Sequence, residues 1–140
     1  MKLRIRDIDH VVLRVTDLDR AIRFYCDVLG CGKERRMSDL GLVQLRAGES
    51  LINLVDVSSP LGQIGGAAPE VEGQNMDHFS VRVDPFDEDA IHAHLKAHGV
   101  EASPTESRYG AQGTGPSIYI QDPDGNFVEL KGPPFQTSSE

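Results

Sequence analysis

The sequence predicts an α+β fold, two tandem βαβββ modules forming a cupped, barrel-like mixed sheet with helices outside. Three observations lead there. Asp9-His10-Val11-Val12-Leu13-Arg14-Val15 recurs as Asp77-His78-Phe79-Ser80-Val81-Arg82-Val83, identical at four of seven positions. Each copy is followed by an acidic helix start, an amphipathic stretch and a glycine. Each copy closes on a similar strand, Leu51-Ile52-Asn53-Leu54 in the first and Phe127-Val128-Glu129-Leu130 in the second. A four-stranded sheet covered by one helix buries one face only, so the other face curves and must enclose something.

The elements follow in order. Val11, Leu13 and Val15 alternate with His10, Val12 and Arg14, a period of two that predicts a strand. Asp17 to Leu29 reads as a helix with Leu18, Ile22, Tyr25 and Leu29 on one face. Thr16 with Asp19 resembles a capping box, and Gly30 fits the stop. Short strands are expected near Lys33–Met37, Leu42–Arg46 and Ser50–Val55. In the second copy the strand is Met76–Val83, and the helix runs from about Asp87 to His98, with Ile91 and Leu95 inward and Gly99 as its stop. His92, His94 and His98 are placed on its solvent side. Strands near Val100–Ser103, Pro116–Gln121 and Asn126–Lys131 complete the module, with Asp122-Pro123-Asp124-Gly125 as a turn. Ser103 to Gly115 reads as irregular. Module one thus covers about 5–57, a Gly/Pro/Ser/Ala-rich linker about 58–75, module two about 76–132, and a fraying tail 133–140 of one domain.

Composition narrows the function. The 140 residues carry a formal charge of −8, which disfavours nucleic acid and anionic membrane. No stretch approaches the ~20 apolar residues of a membrane span, and Met1 to Asp9 lacks a signal-peptide core. A soluble, cytoplasmic protein is expected. Cys26 and Cys31 are too few and wrongly spaced for a disulfide framework and read as structural thiols.

Alternation assigns faces. If Val11, Leu13 and Val15 lie under the helix, then His10, Val12 and Arg14 face the cup. The same split turns His78, Ser80 and Arg82 inward, together with Phe127 and Glu129 from the last strand. Its counterpart turns Leu51, Asn53 and Val55 inward. Four polar positions converge by pseudo-symmetry: His10, Asn53, His78 and Glu129. Two imidazoles and a carboxylate form a ligand set for a divalent metal with open positions.

At these residues the chain resembles the vicinal-oxygen-chelate superfamily, which includes glyoxalases, bleomycin-resistance proteins, extradiol dioxygenases and fosfomycin-resistance thiol transferases. The resemblance covers roughly 5 to 131. It is carried by the Ile8–Leu13 strand, by Ala21-Ile22-Arg23-Phe24-Tyr25-Cys26-Asp27-Val28-Leu29-Gly30 and by Asp122–Leu130. Ile52-Asn53-Leu54, Tyr109–Gly113 and Ser117-Ile118-Tyr119 are similar to the small virulence-like glyoxalase-domain proteins. The resemblance implies a metal (Zn, Ni, Mn or Fe) on His10, His78 and Glu129. Asn53 stands where glyoxalase I enzymes usually place a Glu, which turns a four-ligand site into an open three-ligand one.

Expected from this is a glyoxalase-like metalloenzyme of lyase type. Its small substrate would chelate the metal through vicinal oxygens, Glu129 would serve as ligand and proton shuttle, and Tyr119 would donate to a developing oxyanion. Asn53, Arg14, Arg82 and Arg108 are the candidates for binding substrate. The alternatives are an Fe(II)/Mn(II) extradiol-type dioxygenase using Tyr109, a fosfomycin-resistance-type thiol transferase, and a non-catalytic bleomycin-resistance-type binder. A homodimer is expected from the resemblance.

Overall fold

The structure, a computed structural model, describes residues 1–136. It divides between Glu70 and Val71 into two compact units.

Unit one holds β1 (His10–Val15), α1 (Leu18–Arg23), β2 (Gly32–Met37), β3 (Leu42–Ala47) and β4 (Ser50–Asp56). Its four-stranded sheet has the order β1-β4-β3-β2. β1 runs parallel to β4, and the other pairs are antiparallel. The parallel pair requires a crossover, which α1 supplies by packing on β4. Leu13, Val15, Val43, Leu45, Ile52 and Leu54 are buried, as their alternation predicts for the helix-covered face.

The helix departs from expectation in two ways. Asp17, not Thr16, is the N-cap, its Oδ1 accepting from the Arg20 N–H at 3.0 Å. From Phe24 to Val28 the chain widens into a π turn, in which the Leu29 N–H bonds back to the Phe24 carbonyl. This extra residue per turn buries Phe24 as well as Tyr25. Gly30 at φ +77° ends the helix as its sequence position suggests.

Unit two repeats the plan with β5 (His78–Arg82), α2 (Glu88–Ala97), β6 (Glu106–Gly110), β7 (Gly113–Gln121) and β8 (Phe127–Lys131), in the order β5-β8-β7-β6. Asp87 caps α2 as Asp17 caps α1. Leu95, Ile118, Ile120, Val128 and Leu130 form the core. The strand expected at Val100–Ser103 is reduced to one bridge, Ala102 to Ile120. The strand forms instead at Glu106–Gly110, inside the stretch that reads as irregular, and β7 lengthens to meet it. Of the tail, residues 137–140 lie outside the described residues. Its first part does not fray: the Phe135 N–H bonds to the Thr114 carbonyl at 2.8 Å. Among the described residues no helix is long and apolar enough to cross a membrane.

Candidate functional site

The polar centre of unit two lies on the sheet face opposite its core. Parallel register sets Ser80 beside Glu129 and His78 beside Phe127, and antiparallel register sets Tyr119 beside Glu129 and Ser117 beside Lys131. A period of two therefore puts His78, Ser80, Arg82, Ser117, Tyr119 and Glu129 on one face.

Glu129 is only 7 % exposed, and its two oxygens have different company. Oε2 accepts from the Ser117 hydroxyl at 2.7 Å. Oε1 lies 3.2 Å from His78 Nε2, and the Tyr119 hydroxyl donates to it at 3.4 Å. The same hydroxyl is 3.1 Å from His78 Nε2, and the two rings meet edge to face. His78 Nδ1 bonds the Asp77 carboxylate at 2.7 Å. With the Nδ1 proton donated to Asp77, the Nε2 lone pair is left for a hydroxyl or a cation.

Behind Glu129, Arg108 donates to the Ser117 hydroxyl at 2.9 Å and to Glu106 at 3.0 Å, and its guanidinium lies 4.7 Å from the Tyr119 ring centre. Burial raises the Tyr119 pKa above the ordinary tyrosine value, and the Glu129 charge raises it further while Arg108 opposes the rise. Tyr119 is thus a neutral hydroxyl donor at neutral pH.

A histidine and a carboxylate at 3.2 Å, the histidine oriented by a second carboxylate, are a donor pair that fits a divalent cation. Among the described residues no three His, Cys, Asp or Glu side chains cluster into a complete ligand set.

Unit one has the same frame with different contents. His10 is exposed, and its Nδ1 bonds Asp9 at 2.7 Å, as His78 bonds Asp77. Asn53 pairs with Val12 and Gln44 and is 3 % exposed, and among the described residues its Oδ1 has no hydrogen-bond partner. A buried amide oxygen left alone costs about 1–3 kcal/mol.

The arginines differ from expectation. Arg14, expected to receive a substrate anion, donates to the carbonyls of Gly62, Gly66 and Ala67. A Cβ on Gly65 would collide with the Arg14 side chain, so this glycine lets residues 62–67 close over the guanidinium. Arg108 is likewise engaged within the protein, supporting Glu129 through Ser117. Arg82 stays exposed beside Lys131. Tyr109, the candidate for dioxygenase chemistry, is 84 % exposed and alternates to the face opposite Arg108. His94 and His98 are exposed as expected, whereas His92 is half-buried and bonded to Thr105.

Sequence reasoning missed Ser117, Asp9 and Asp77. The signals were present: Ser117 precedes Tyr119 by two residues on one strand, and an aspartate precedes the histidine in both copies.

Residues 7–130 match the model of the Glyoxalase/Bleomycin resistance protein/Dioxygenase superfamily. The chain is 34 % identical to the virulence protein STM3117 of Salmonella typhimurium, over 88 % of this chain and 81 % of that one. It is 27 % identical to a probable lactoylglutathione lyase of Synechocystis, over 94 % and 95 % of the two chains. The crystal structure of the Salmonella protein aligns with a TM-score of 0.73 at 27 % identity, covering 94 % of this chain and 99 % of that one.

Proposed function

The chain belongs to the Glyoxalase/Bleomycin resistance protein/Dioxygenase superfamily, and on that premise we propose that it is a divalent-metal-dependent, glyoxalase-like enzyme. Its substrate is a small molecule offering two neighbouring oxygens. The observation that carries the reading is the His78 Nε2 to Glu129 Oε1 approach of 3.2 Å, with Asp77 fixing the imidazole tautomer. His78 and Glu129 would hold the metal, and His10, whose Asp9-oriented ring repeats that of His78, is the third ligand that the family resemblance implies. Bound there, the metal would supply Lewis acidity toward the substrate oxygens.

The side chains divide the remaining work. Ser117 anchors Oε2 of Glu129, which leaves Oε1 to take or return a proton. The Tyr119 hydroxyl, held neutral by its surroundings, donates to oxygen as negative charge develops. Asn53 Oδ1 accepts from a substrate hydroxyl or amide. The lyase name of the Synechocystis relative and the outward Tyr109 favour this reading over a dioxygenase. The homodimer implied by the resemblance belongs to the same proposal.

The test is metal titration by calorimetry, with Zn, Ni, Mn and Fe(II), on the wild type and on His10→Ala, His78→Ala and Glu129→Gln, circular dichroism confirming the fold. Stoichiometric binding in the wild type and its loss in each variant is expected. A wild type that takes up none of the four metals would falsify the reading.

A further inference from the structure

We propose that unit one carries a second binding site, on the helix side of its sheet, for a small organic anion with an apolar body. The site is a groove of about 370 Å³ between α1 and β2, a size suited to a small ligand. Its cations are Arg23, Lys33 and Arg36, with Arg35 at its edge, and Ile22 and Val43 contribute apolar surface.

The sheet register explains how two cations of the edge strand come to share the helix side of the sheet. β2 pairs Lys33 with Leu45, then Arg35 with Gln44 and Arg36 with Val43, so Glu34 is an inserted residue. Leu45 and Val43 belong to the helix-covered face. The bulge therefore turns Lys33 and Arg36 to the same face, where an unbroken period of two would set them on opposite faces. Arg23 in the last turn of α1 adds a third cation.

Little in the structure neutralises them. Glu34 is held by Arg46, at 2.6 and 3.2 Å. Asp19 stands 3.6 Å from Arg36. Among the described residues neither Arg23 nor Lys33 has a carboxylate partner, and Arg35 reaches only the Met37 sulfur at 3.6 Å. With Glu34 taken by Arg46, Asp19 stands against Arg23, Lys33 and Arg36 and leaves a positive groove on a chain whose net charge is −8. Guanidinium forks bind phosphate or carboxylate through paired hydrogen bonds, and Ile22 and Val43 would cover an apolar remainder.

The probes are phenyl phosphate and phthalate, one phosphoryl and one dicarboxylate, with inorganic phosphate for comparison, titrated by calorimetry at low salt. At least one organic probe is expected to bind with a Kd of about 1 mM or tighter, and more tightly than inorganic phosphate. The double variant Lys33→Glu/Arg36→Glu, both positions being solvent-facing, is expected to keep its fold and lose at least ~10-fold in affinity. His78→Ala is expected to bind as the wild type does, which separates this site from the proposed metal centre. Failure of both organic probes to bind overturns the proposal, as does equal binding by the double variant or loss of binding in His78→Ala.

Discussion

Units one and two share a backbone plan to the level of register but differ in what hangs from it. Val12 and Asn53 pair in the first as Ser80 and Glu129 pair in the second. Gln44 occupies the position of Tyr119, and Leu42 that of Ser117. Unit two thereby gains a carboxylate with a serine behind it and a tyrosine beside it, while unit one keeps an amide whose oxygen has no partner among the described residues. The charges separate too. Residues 1–70 contain ten acidic and ten basic side chains, whereas 71–140 contain twelve acidic and four basic, so the second half carries the whole net charge. The difference teaches that this fold sets positions and that four side chains distinguish the copy with the buried carboxylate from the copy with the buried amide.

The comparison breaks most completely at Glu129. Glu129→Gln keeps the side-chain volume and removes the charge, and metal affinity should fall by more than the roughly 10–100-fold that an outer partner controls. Calorimetric titration reads it. The converse change, Asn53→Glu, gives unit one the carboxylate it lacks. Buried at 3 % exposure without a cation, it should cost on the order of 2 kcal/mol, with Tm recovering when metal is added; thermal melts with and without chelator measure both.

Ser117→Ala is smaller in effect. Glu129 Oε2 loses its 2.7 Å hydroxyl, metal affinity should drop about 10-fold, and stability should fall by about 1 kcal/mol. Unchanged affinity would mean that Glu129 needs no anchor. Arg14→Ala should speed amide exchange across residues 62–67 and leave metal binding as it is. The smallest effect is at the thiols, which unit one alone contains. Burial, with a smaller contribution from Cys26, pushes the Cys31 thiol up to about 11. Only the thiolate reacts, so alkylation should be slow at pH 8 and accelerate as pH rises toward that value.

What was legible in the sequence follows from the same comparison. Both helices, the first and last strand of each unit and the face of His78 and Glu129 could be read because the repeat aligns them and alternation fixes their face. β6 could not, because Glu106-Ser107-Arg108-Tyr109 has no apolar alternation: it is an edge strand held by backbone pairing to β7. The roles of Arg14 and Arg108 were hidden for a different reason. Their partners are carbonyls, a hydroxyl and a neighbouring glutamate brought near by the fold, and a carbonyl has no signature in sequence. The π turn at Phe24–Val28 keeps the apolar spacing of an ordinary helix and so leaves no trace either.

The aspartate before each histidine has a consequence for how such a protein can change. The group that aims the imidazole is joined to it by a single peptide bond, so the aim is inherited with the dipeptide. Loops can lengthen and a whole copy can diverge in charge, yet the aiming device goes wherever the dipeptide goes. Duplication of such a segment delivers a second pre-aimed ring at once, and selection is left only with choosing its companions.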